Sequence, residues 1–213
     1  MRRVTAEISM SVDGFVAGPE PTLEEPLGRG GMQLHEWAFR LAAWRRPHGQ
    51  EGGETGPEGD MVDESQRATG AVVMGRRMFS GGEGPWAQDG NADGWWGDDP
   101  PFHVPVFVLT HHAREPLQKL GGTSFHFVGE GVAAAVEQAR AAAGERDVSI
   151  AGGASVVQQC LAAGLIDAIQ LHIAPVLLGD GVRLFEAVPA QSLRIAHVLA
   201  GPLATHVRYE VVR

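Results

Sequence analysis

Hydrophobic residues recur along the chain in short runs, and the spacing within each run indicates its secondary structure. Short, mainly apolar runs that end at glycine, proline or aspartate predict strands. Segments in which apolar residues return every three or four positions predict helices. The predicted strands lie at residues 4–10, 71–74, 104–109, 124–128, 147–151 and 169–173, and the predicted helices at residues 34–44, 60–69, 132–143 and 155–163.

The order of these elements predicts an α/β fold. Strands alternate with helices, which is typical of a mainly parallel sheet with helices on both faces. Two further strands, at 193–199 and 205–212, flank Gly201 and Pro202 and predict a C-terminal antiparallel hairpin, so the sheet is expected to be mixed. Long loops at 18–31 and 45–59 either cover a site or are flexible insertions, and the sequence does not choose between them.

Composition narrows the functional classes. A chain of 213 residues with 44% hydrophobic and 20% charged residues is expected to form one domain over residues 1–213. Its formal net charge of −9 repels nucleic acids and anionic membranes, and no apolar run is long enough to span a bilayer. The single cysteine, Cys160, fits a helix core, and without a secretory signal the expected compartment is the cytoplasm.

Three predicted strands end in residues that suit phosphate groups. They are followed by the segments 74–77, 109–114 and 151–155, which supply arginines, hydroxyls and a Gly-Gly turn into a helix. Guanidinium forks, hydroxyl donors and helix N-termini bind phosphates, and sites in such sheets lie beyond the carboxyl ends of the strands. Each segment alone also fits an ordinary turn, a solvated charge or a strand terminus, so the combination carries the prediction.

A second glycine pattern competes with the first. Residues 129–134 spell G-x-G-x-x-A between a strand and a helix, as in Rossmann dinucleotide sites. Glu130 would oppose a pyrophosphate there, and no strand ends in an acidic residue about 20 positions later. A Rossmann-type dehydrogenase that uses Gly129 and Gly131 is therefore an alternative reading, and a non-catalytic nucleotide-binding domain is another.

The motifs at residues 9–17, 73–79, 108–110 and 151–179, taken in order, resemble the dihydrofolate reductase superfamily. The branch with the reductase domain of bifunctional riboflavin-biosynthesis proteins is the most similar in pattern. The resemblance implies a dihydrofolate-reductase-like fold, NADPH as cofactor and a homodimer. It also implies hydride transfer to a C=N or C=O of a small heterocyclic substrate that is like a pterin, a pyrimidine or a flavin precursor.

The resemblance also assigns cofactor contacts. It places the two arginines of 75–77 near the 2′-phosphate or pyrophosphate, residues 110 and 111 around the adenosine ribose phosphate, and residues 152–156 along the pyrophosphate. It implies a cis peptide between residues 152 and 153. The family's usual threonine is replaced by Met78, and the third glycine of its Gly-Gly-Gly turn by Ala154. The implied cofactor residues are Ser9, Val16 and Ala17 against the nicotinamide, with Gly75, Arg76, Arg77, Thr110, His111, Arg114, Ala151, Gly152, Gly153, Ala154, Ser155 and Val156.

A catalytic acid is harder to assign. In the family a substrate-binding acid precedes the Met-Gly-Arg motif by about fifteen residues, and Asp60 lies fourteen positions before Met74. Asp60 equally fits a helix N-cap and Asp63 a first-turn partner of the helix dipole. Asp13 is a second candidate because its family position is beside the nicotinamide, although Asp-Gly is also ordinary turn chemistry.

The histidines and tryptophans of the sequence also have ordinary structural explanations. The nine histidines show no metal-ligand spacing, no metal is expected, and surface or capping roles suffice for them. Trp86, Trp95 and Trp96 lie in a glycine-rich loop, where they either cover a flat substrate or fasten the loop to the core.

Overall fold

The computed structural model describes residues 3–213, so residues 1 and 2 of the expected domain lie outside the described residues. Six strands and three helices have six or more residues, and the other five strands and three helices are shorter. The strands are β1 (Val4–Ser11), β2 (Phe15–Ala17), β3 (Thr69–Gly75), β4 (Pro105–Leu109), β5 (Leu117–Gln118), β6 (Ser124–Val128), β7 (Asp147–Gly152), β8 (Ala168–Ala174), β9 (Val182–Arg183), β10 (Ser192–Ala200) and β11 (Thr205–Val212). The helices are α1 (Glu36–Phe39), α2 (Ala42–Arg45), α3 (Pro57–Ala68), α4 (Arg76–Ser80), α5 (Val132–Ala143) and α6 (Ala154–Ala162).

The main sheet has nine strands in the order β10-β11-β8-β1-β7-β3-β4-β6-β5. The six central strands, from β8 to β6, are parallel to their neighbours. β11 runs antiparallel to both β8 and β10, and β5 antiparallel to β6. The mixed, mainly parallel sheet and the C-terminal hairpin are therefore confirmed, and a small second sheet pairs β2 with β9.

The two faces of the sheet differ in character along β1, because successive side chains of a strand point to opposite faces. On one face Ala6, Ile8 and Met10 join a large apolar core beneath α5 and α6. On the other face Glu7 and Ser9 contact residues of α3 and α1. Helices on both faces are thus confirmed. The second face is polar along β1 but carries an apolar cluster along β3 and β4, with Val72, Met74, Val106 and Val108.

The predicted helix over 34–44 is wrong in its middle. A 3-10 turn at Gly31–His35 leads into α1, and the helix then breaks at Leu41, whose backbone is extended (φ −80°, ψ 135°). Leu41 forms an isolated β-bridge with Glu54, and the Ala42 N–H donates to the Glu54 carbonyl at 2.9 Å. The apolar spacing continues through the break because this pairing comes from a distant loop.

The helix predicted over 60–69 begins earlier, at Pro57, since proline is favoured in the first helical turn. Cys160 is fully buried in α6, as predicted, and burial raises the pKa of its thiol to about 12. Among residues 3–213, no helix has the length and apolar character that crossing a bilayer requires.

Candidate functional site

The chain turns from β7 into α6 through Gly152 and Gly153, at the carboxyl edge of the sheet. The peptide bond between these glycines is cis, as the resemblance implies. Gly152 pairs in register with Met74 of β3, and a Cβ added to Gly75 would lie 3.1 Å from Val156 Cγ2. A Cβ added to Gly153 would meet no described atom within 4 Å, so the backbone is open there. The turn brings together Gly75, Ala151, Gly152, Gly153, Ala154, Ser155 and Val156.

The N-terminus of α6 opens on the same edge. The first amides of a helix have no acceptor within it and carry a partial positive charge, which favours an anion. Ser155, in the first turn, is exposed, and its Oγ accepts a hydrogen bond from Gln159 Nε2 at 3.1 Å. This open turn and helix terminus are therefore suited to a phosphate group.

Arg76 lies nearby but is enclosed. Its side chain is 7% exposed and its guanidinium pairs with the Asp89 carboxylate at 2.5 Å, while Asp89 is itself only 3% exposed. Ser80 Oγ donates to Asp89 at 2.7 Å, and the Trp86 ring centroid lies 3.5 Å from Arg76 Cζ. Among the described residues, Nε and Nη2 of Arg76 are buried without an acceptor. The expected phosphate contact of Arg76 would require this pair to open.

Hydrogen bonds keep Asp89 in its charged form. Burial by itself raises the pKa of Asp89, but the bonds from Ser80 and the Asn91 N–H, together with the Arg76 charge, outweigh it. The net pKa is below the ordinary value. The Arg76–Asp89 pair is therefore an ion pair at neutral pH.

Arg114 approaches Trp86 as well, with Cζ 4.8 Å from the ring centroid, and it binds Asp93 at 3.0 Å. The Trp86 indole N–H donates to the His112 carbonyl at 2.9 Å. We call Arg76, Trp86, Asp89, Asp93 and Arg114 the arginine cluster. It fastens the 80–101 loop to the strand ends, so Trp86 has the fastening role and not that of a free aromatic lid.

Thr110 and His111 follow β4 at this edge. Thr110 is buried, and its Oγ1 accepts the His112 N–H at 3.1 Å, which is the behaviour of a strand terminus. His111 is exposed. The structure thus leaves the His111 side chain accessible to a ligand and ties the Thr110 hydroxyl to the local turn.

Arg77 faces a different space. Its side chain is 64% exposed and pairs with Glu83 at 2.5 Å. A cavity of about 330 Å³ opens beside it, between the 18–31 loop and the end of α4. The Trp95 indole N–H donates to the Met78 carbonyl at 2.9 Å and fixes one wall. The cavity is lined by Pro21, Thr22, Leu23, Pro26, Arg77, Gly81, Glu83 and Trp95.

Ser9 is buried near the end of β1, and its Oγ accepts a hydrogen bond from the Trp37 indole N–H at 3.1 Å. Val16 and Ala17 are half-buried in β2. Ile8, next to Ser9, lies 3.6 Å from a Cβ added to Gly152, so β1 ends beside the Gly-Gly turn.

The two predicted acids lie in different surroundings, since Asp13 is held by hydrogen bonds and Asp60 is exposed. Asp13 accepts the N–H groups of Leu178 and Gly179 at 3.2 and 2.8 Å and so holds the loop after β8. A hydrogen bond with Ser11, followed by these amides, lowers the pKa of Asp13, which is therefore ionised at neutral pH. Asp60 is exposed on α3, and Asp63 pairs with Arg46 at 2.5 Å.

A buried polar chain on the other side of Ser9 escapes sequence reasoning. It consists of Glu7, His172, His206 and Glu58, and we call it the histidine chain. His172 and His206 are 3% and 0% exposed, so surface or capping roles are wrong for both. The acid of α3 that reaches this interior is Glu58 and not Asp60. In the sequence, the alternation of His172 with Leu171 and Ile173 predicts that His172 faces solvent. In the fold His172 is buried, because other elements cover that face of β8.

In the competing glycine pattern at residues 129–134, the side chain of Glu130 folds back onto the turn. The Glu130 carboxylate accepts the Gly129 N–H at 3.0 Å. It thus takes the position that a pyrophosphate would need in a Rossmann site.

The parallel sheet, the Gly-Gly turn and the antiparallel hairpin define a dihydrofolate-reductase-like fold. Within that class, the chain belongs to the RibD C-terminal domain family, whose sequence profile matches residues 2–207. No curated protein matches the sequence.

Solved structures share the fold across nearly the whole chain. A proposed riboflavin biosynthesis protein from Shewanella sp. PV-4 is 20% identical with a TM-score of 0.63, and the match covers 99% of each chain. The riboflavin biosynthesis reductase of Saccharomyces cerevisiae is 13% identical with a TM-score of 0.53 and covers 100% of this chain and 89% of its own. A pyrimidine reductase-like protein from Corynebacterium diphtheriae is 15% identical with a TM-score of 0.51, covering 100% and 92%.

Proposed function

We propose that this chain, as one domain over residues 1–213, is an NADPH-dependent reductase that transfers hydride to a C=N or C=O bond of a small heterocycle. Membership of the RibD C-terminal domain family supports reductase chemistry. Two solved relatives bear the names of a riboflavin biosynthesis reductase and a pyrimidine reductase-like protein. A pterin-, pyrimidine- or flavin-precursor-like substrate agrees with both.

The open backbone at Gly153 carries the proposal. A pyrophosphate needs close approach to the main chain and donors aimed at it, and Gly153 with the α6 N-terminus offers both. Ser155 adds an exposed hydroxyl in the first turn. These residues fit a dinucleotide, and we assign the pyrophosphate to them.

The 2′-phosphate fits Arg77 better than Arg76. Arg76 is buried beneath Trp86 and its charge is neutralised by Asp89, whereas Arg77 is exposed beside the cavity. An exposed guanidinium reorients toward a phosphate at little cost, because surface ion pairs such as Arg77–Glu83 are weak. We therefore propose Arg77, with His111 as a second candidate, for this contact.

When bound, the nicotinamide supplies the hydride. The chain's own residues then orient the reactants and exclude water, with Ser9, Val16 and Ala17 assigned to the nicotinamide. Asp13 is assigned to holding the loop after β8, since an ionised carboxylate with two amide partners is a poor proton donor.

We also propose that the protein pairs as a cytoplasmic homodimer. β10 exposes Leu193, Ile195 and Val198, at 42%, 62% and 51%. These residues share a sheet face with Val207 and Tyr209 of β11, so they form a continuous apolar surface. Apolar surfaces of this kind are typical of protein interfaces. The net charge of −9 still argues against nucleic acid as a partner.

Binding of NADPH and NADH, measured by calorimetry, tests the cofactor assignment directly. Ser155→Glu should weaken both nucleotides roughly tenfold or more, because a carboxylate about 4 Å from the pyrophosphate repels it by over 1 kcal/mol. The same acid at a helix N-terminus favours the fold, so the melting temperature should not fall. Ser155→Gln, similar in size and neutral, is the matched control.

Two results would contradict the proposal. Absence of binding of either nucleotide to the wild-type protein would end it, and equal binding by the Glu and Gln variants would remove the pyrophosphate from α6. Oxidation of NADPH is then followed with pterin, pyrimidine and flavin-precursor substrates. Binding without turnover on any of them would favour the non-catalytic nucleotide-binding alternative.

A further inference from the structure

The histidine chain crosses the buried polar face of the sheet. His172 Nε2 lies 3.3 Å from Glu7 Oε1, and His206 Nε2 lies 2.8 Å from Glu58 Oε1. The two Nδ1 atoms face each other at 2.8 Å. Ser65 Oγ donates to the second oxygen of Glu7. Three contacts thus join two carboxyl groups through two imidazoles.

The geometry fixes how many protons the chain holds. Each of the three contacts joins two potential acceptors, so each needs one proton to be a hydrogen bond and not a repulsion. Two neutral imidazoles carry only two protons. The third resides either on an imidazole, which becomes a cation, or on one of the carboxyl groups.

We propose that His172 carries this third proton, so that a single imidazolium is buried between Glu7 and the neutral His206. His172 then donates from Nε2 to Glu7 and from Nδ1 to His206, while His206 donates from Nε2 to Glu58. Every polar atom of both rings is paired in this arrangement. The chain as a whole carries one negative charge.

The surrounding groups favour a cationic His172 with a neutral His206 over the reverse arrangement. Burial lowers the pKa of His206, despite its bond to Glu58, which keeps that ring neutral. Burial raises the pKa of Glu7, but the bond and charge of His172, with Ser65 and Arg208, lower it further, so Glu7 is ionised.

The remaining charged neighbours are few. The His35 pKa falls to about 4, first through burial and then through the charge of His172, so His35 is neutral. Near the outer end of the chain, Arg40 pairs with Glu54 beside Glu58. The positive charge next to Glu7 is therefore balanced locally, and His172 is the member best placed to hold it.

The indole ring of Trp37 contacts both His172 and Ser9 and so connects the proposed charge with the serine hydroxyl. The Trp37 ring centroid lies 4.4 Å from that of His172 and 4.7 Å from that of His206. A cation against the face of an indole is attracted by its π electrons. The same indole donates its N–H to Ser9 Oγ at 3.1 Å. His172 is thus a positioning residue for the Ser9 hydroxyl, a consequence that rests on the proposed nicotinamide site.

Nitrogen-15 NMR of the histidine-labelled, ligand-free protein tests the charge assignment. At pH 7 the His172 ring should show protons on both nitrogens, with a strongly downfield exchangeable proton between the two Nδ1 atoms, and His206 should be neutral. The resonances are assigned by contacts to the Trp37 indole proton and by loss in His172→Asn. The exposed His197, changed to Gln, is the control that should leave both signals unmoved. Two neutral rings at pH 7, or a cationic His206, would overturn the proposal.

Two substitutions at His206 separate its contacts. Asn places its amide near the position of Nδ1 and still accepts from His172, so the imidazolium pattern should persist to neutral pH. Leu removes both contacts, so the doubly protonated His172 signals should be absent or weaker at pH 7. Equal effects of Asn and Leu would contradict the hydrogen bond that His172 donates to His206.

The link to Ser9 has its own readout. As the pH is varied, the Trp37 indole N–H resonance should move together with the His172 ring signals, and Ser9→Ala should move this resonance without changing those signals. A flat indole resonance during the titration would refute the positioning role. Because no nucleotide is present, this result is independent of whether the nicotinamide site is correct; NADPH binding by the same samples decides that separately.

Discussion

The Arg76–Asp89 pair of the arginine cluster and the histidine chain both bury charge at the carboxyl half of the sheet, yet the charges are paired in different ways. In the arginine cluster, Asp89 and Asp93 of one loop match Arg76 and Arg114 one to one. In the histidine chain two carboxyl groups share a pair of imidazoles across four elements. The first pairs each arginine with its own carboxylate, whereas the second, in the proposed assignment, holds one imidazolium between Glu7 and His206. In the arginine cluster the charges therefore fasten a loop, whereas in the histidine chain the position of one proton decides where the charge lies.

The largest effect should come from breaking the arginine cluster. Arg76→Ala leaves Asp89 buried without its cation, which typically costs about 3–5 kcal/mol of unfolding free energy. Urea denaturation measures the loss. Arg77→Ala, at the exposed neighbouring pair, is the matched control and should cost less than about 1 kcal/mol.

The double variant Arg76→Met, Asp89→Leu sharpens this result. Removing both charges together should recover much of the stability lost in Arg76→Ala, because no unpaired carboxylate remains. If Arg76→Ala instead kept full stability and lost only NADPH affinity, Arg76 would be a phosphate ligand after all, and the cluster would be an open site.

Lowering the pH should reduce the stability of the fold by an intermediate amount. The loss should arise from His35 and from the neighbouring histidine chain. His35 must stay neutral when folded, with a pKa of about 4, but protonates near 6.5 when unfolded. The unfolded state thus binds more protons between these values, so stability falls as pH drops from about 6.5 to 4, by on the order of 3 kcal/mol at most. Glu7 and His206, whose pKa values are also lowered, add losses of the same sign.

His35→Gln isolates this contribution. The variant lacks the titrating ring, so its stability between pH 7 and pH 4.5 should decline less steeply than that of the wild-type protein. Exposed His197→Gln should reproduce the wild-type slope. Identical slopes for all three proteins would show that His35 is accessible to protons in the folded state.

The contrast also explains what the sequence could predict. The strands can be predicted because each buried run is local, and the Gly-Gly turn because its glycines and the start of α6 are neighbours in the chain. His172 and His206 are 34 residues apart, and Glu7 and Glu58 lie on other elements. Each is an ordinary residue in its own segment, and only strand register brings the four together.

The sequence also does not reveal which charged side chains pair with each other in the fold. The sequence identifies Arg76 and Arg77 as equivalent neighbours, but the fold buries one and exposes the other. What separates them is Asp89, thirteen positions away in a loop with several acids, and its pairing depends on tertiary packing. The break at Leu41 has the same origin, since Glu54 reaches it from a distant loop.

The smallest effect should distinguish the two cofactors. Arg77→Ala should weaken NADPH by about 1 kcal/mol, roughly fivefold in Kd, and leave NADH unchanged, because only NADPH carries the 2′-phosphate. Glu83→Gln should have the opposite effect on NADPH, since it frees Arg77 from its competing carboxylate. Raising the salt concentration should diminish both differences, as it does for exposed charges. If the ratio of the two affinities were the same in wild-type, Arg77→Ala and Glu83→Gln proteins, the 2′-phosphate would have to lie elsewhere, and His111→Ala would be the next variant to compare.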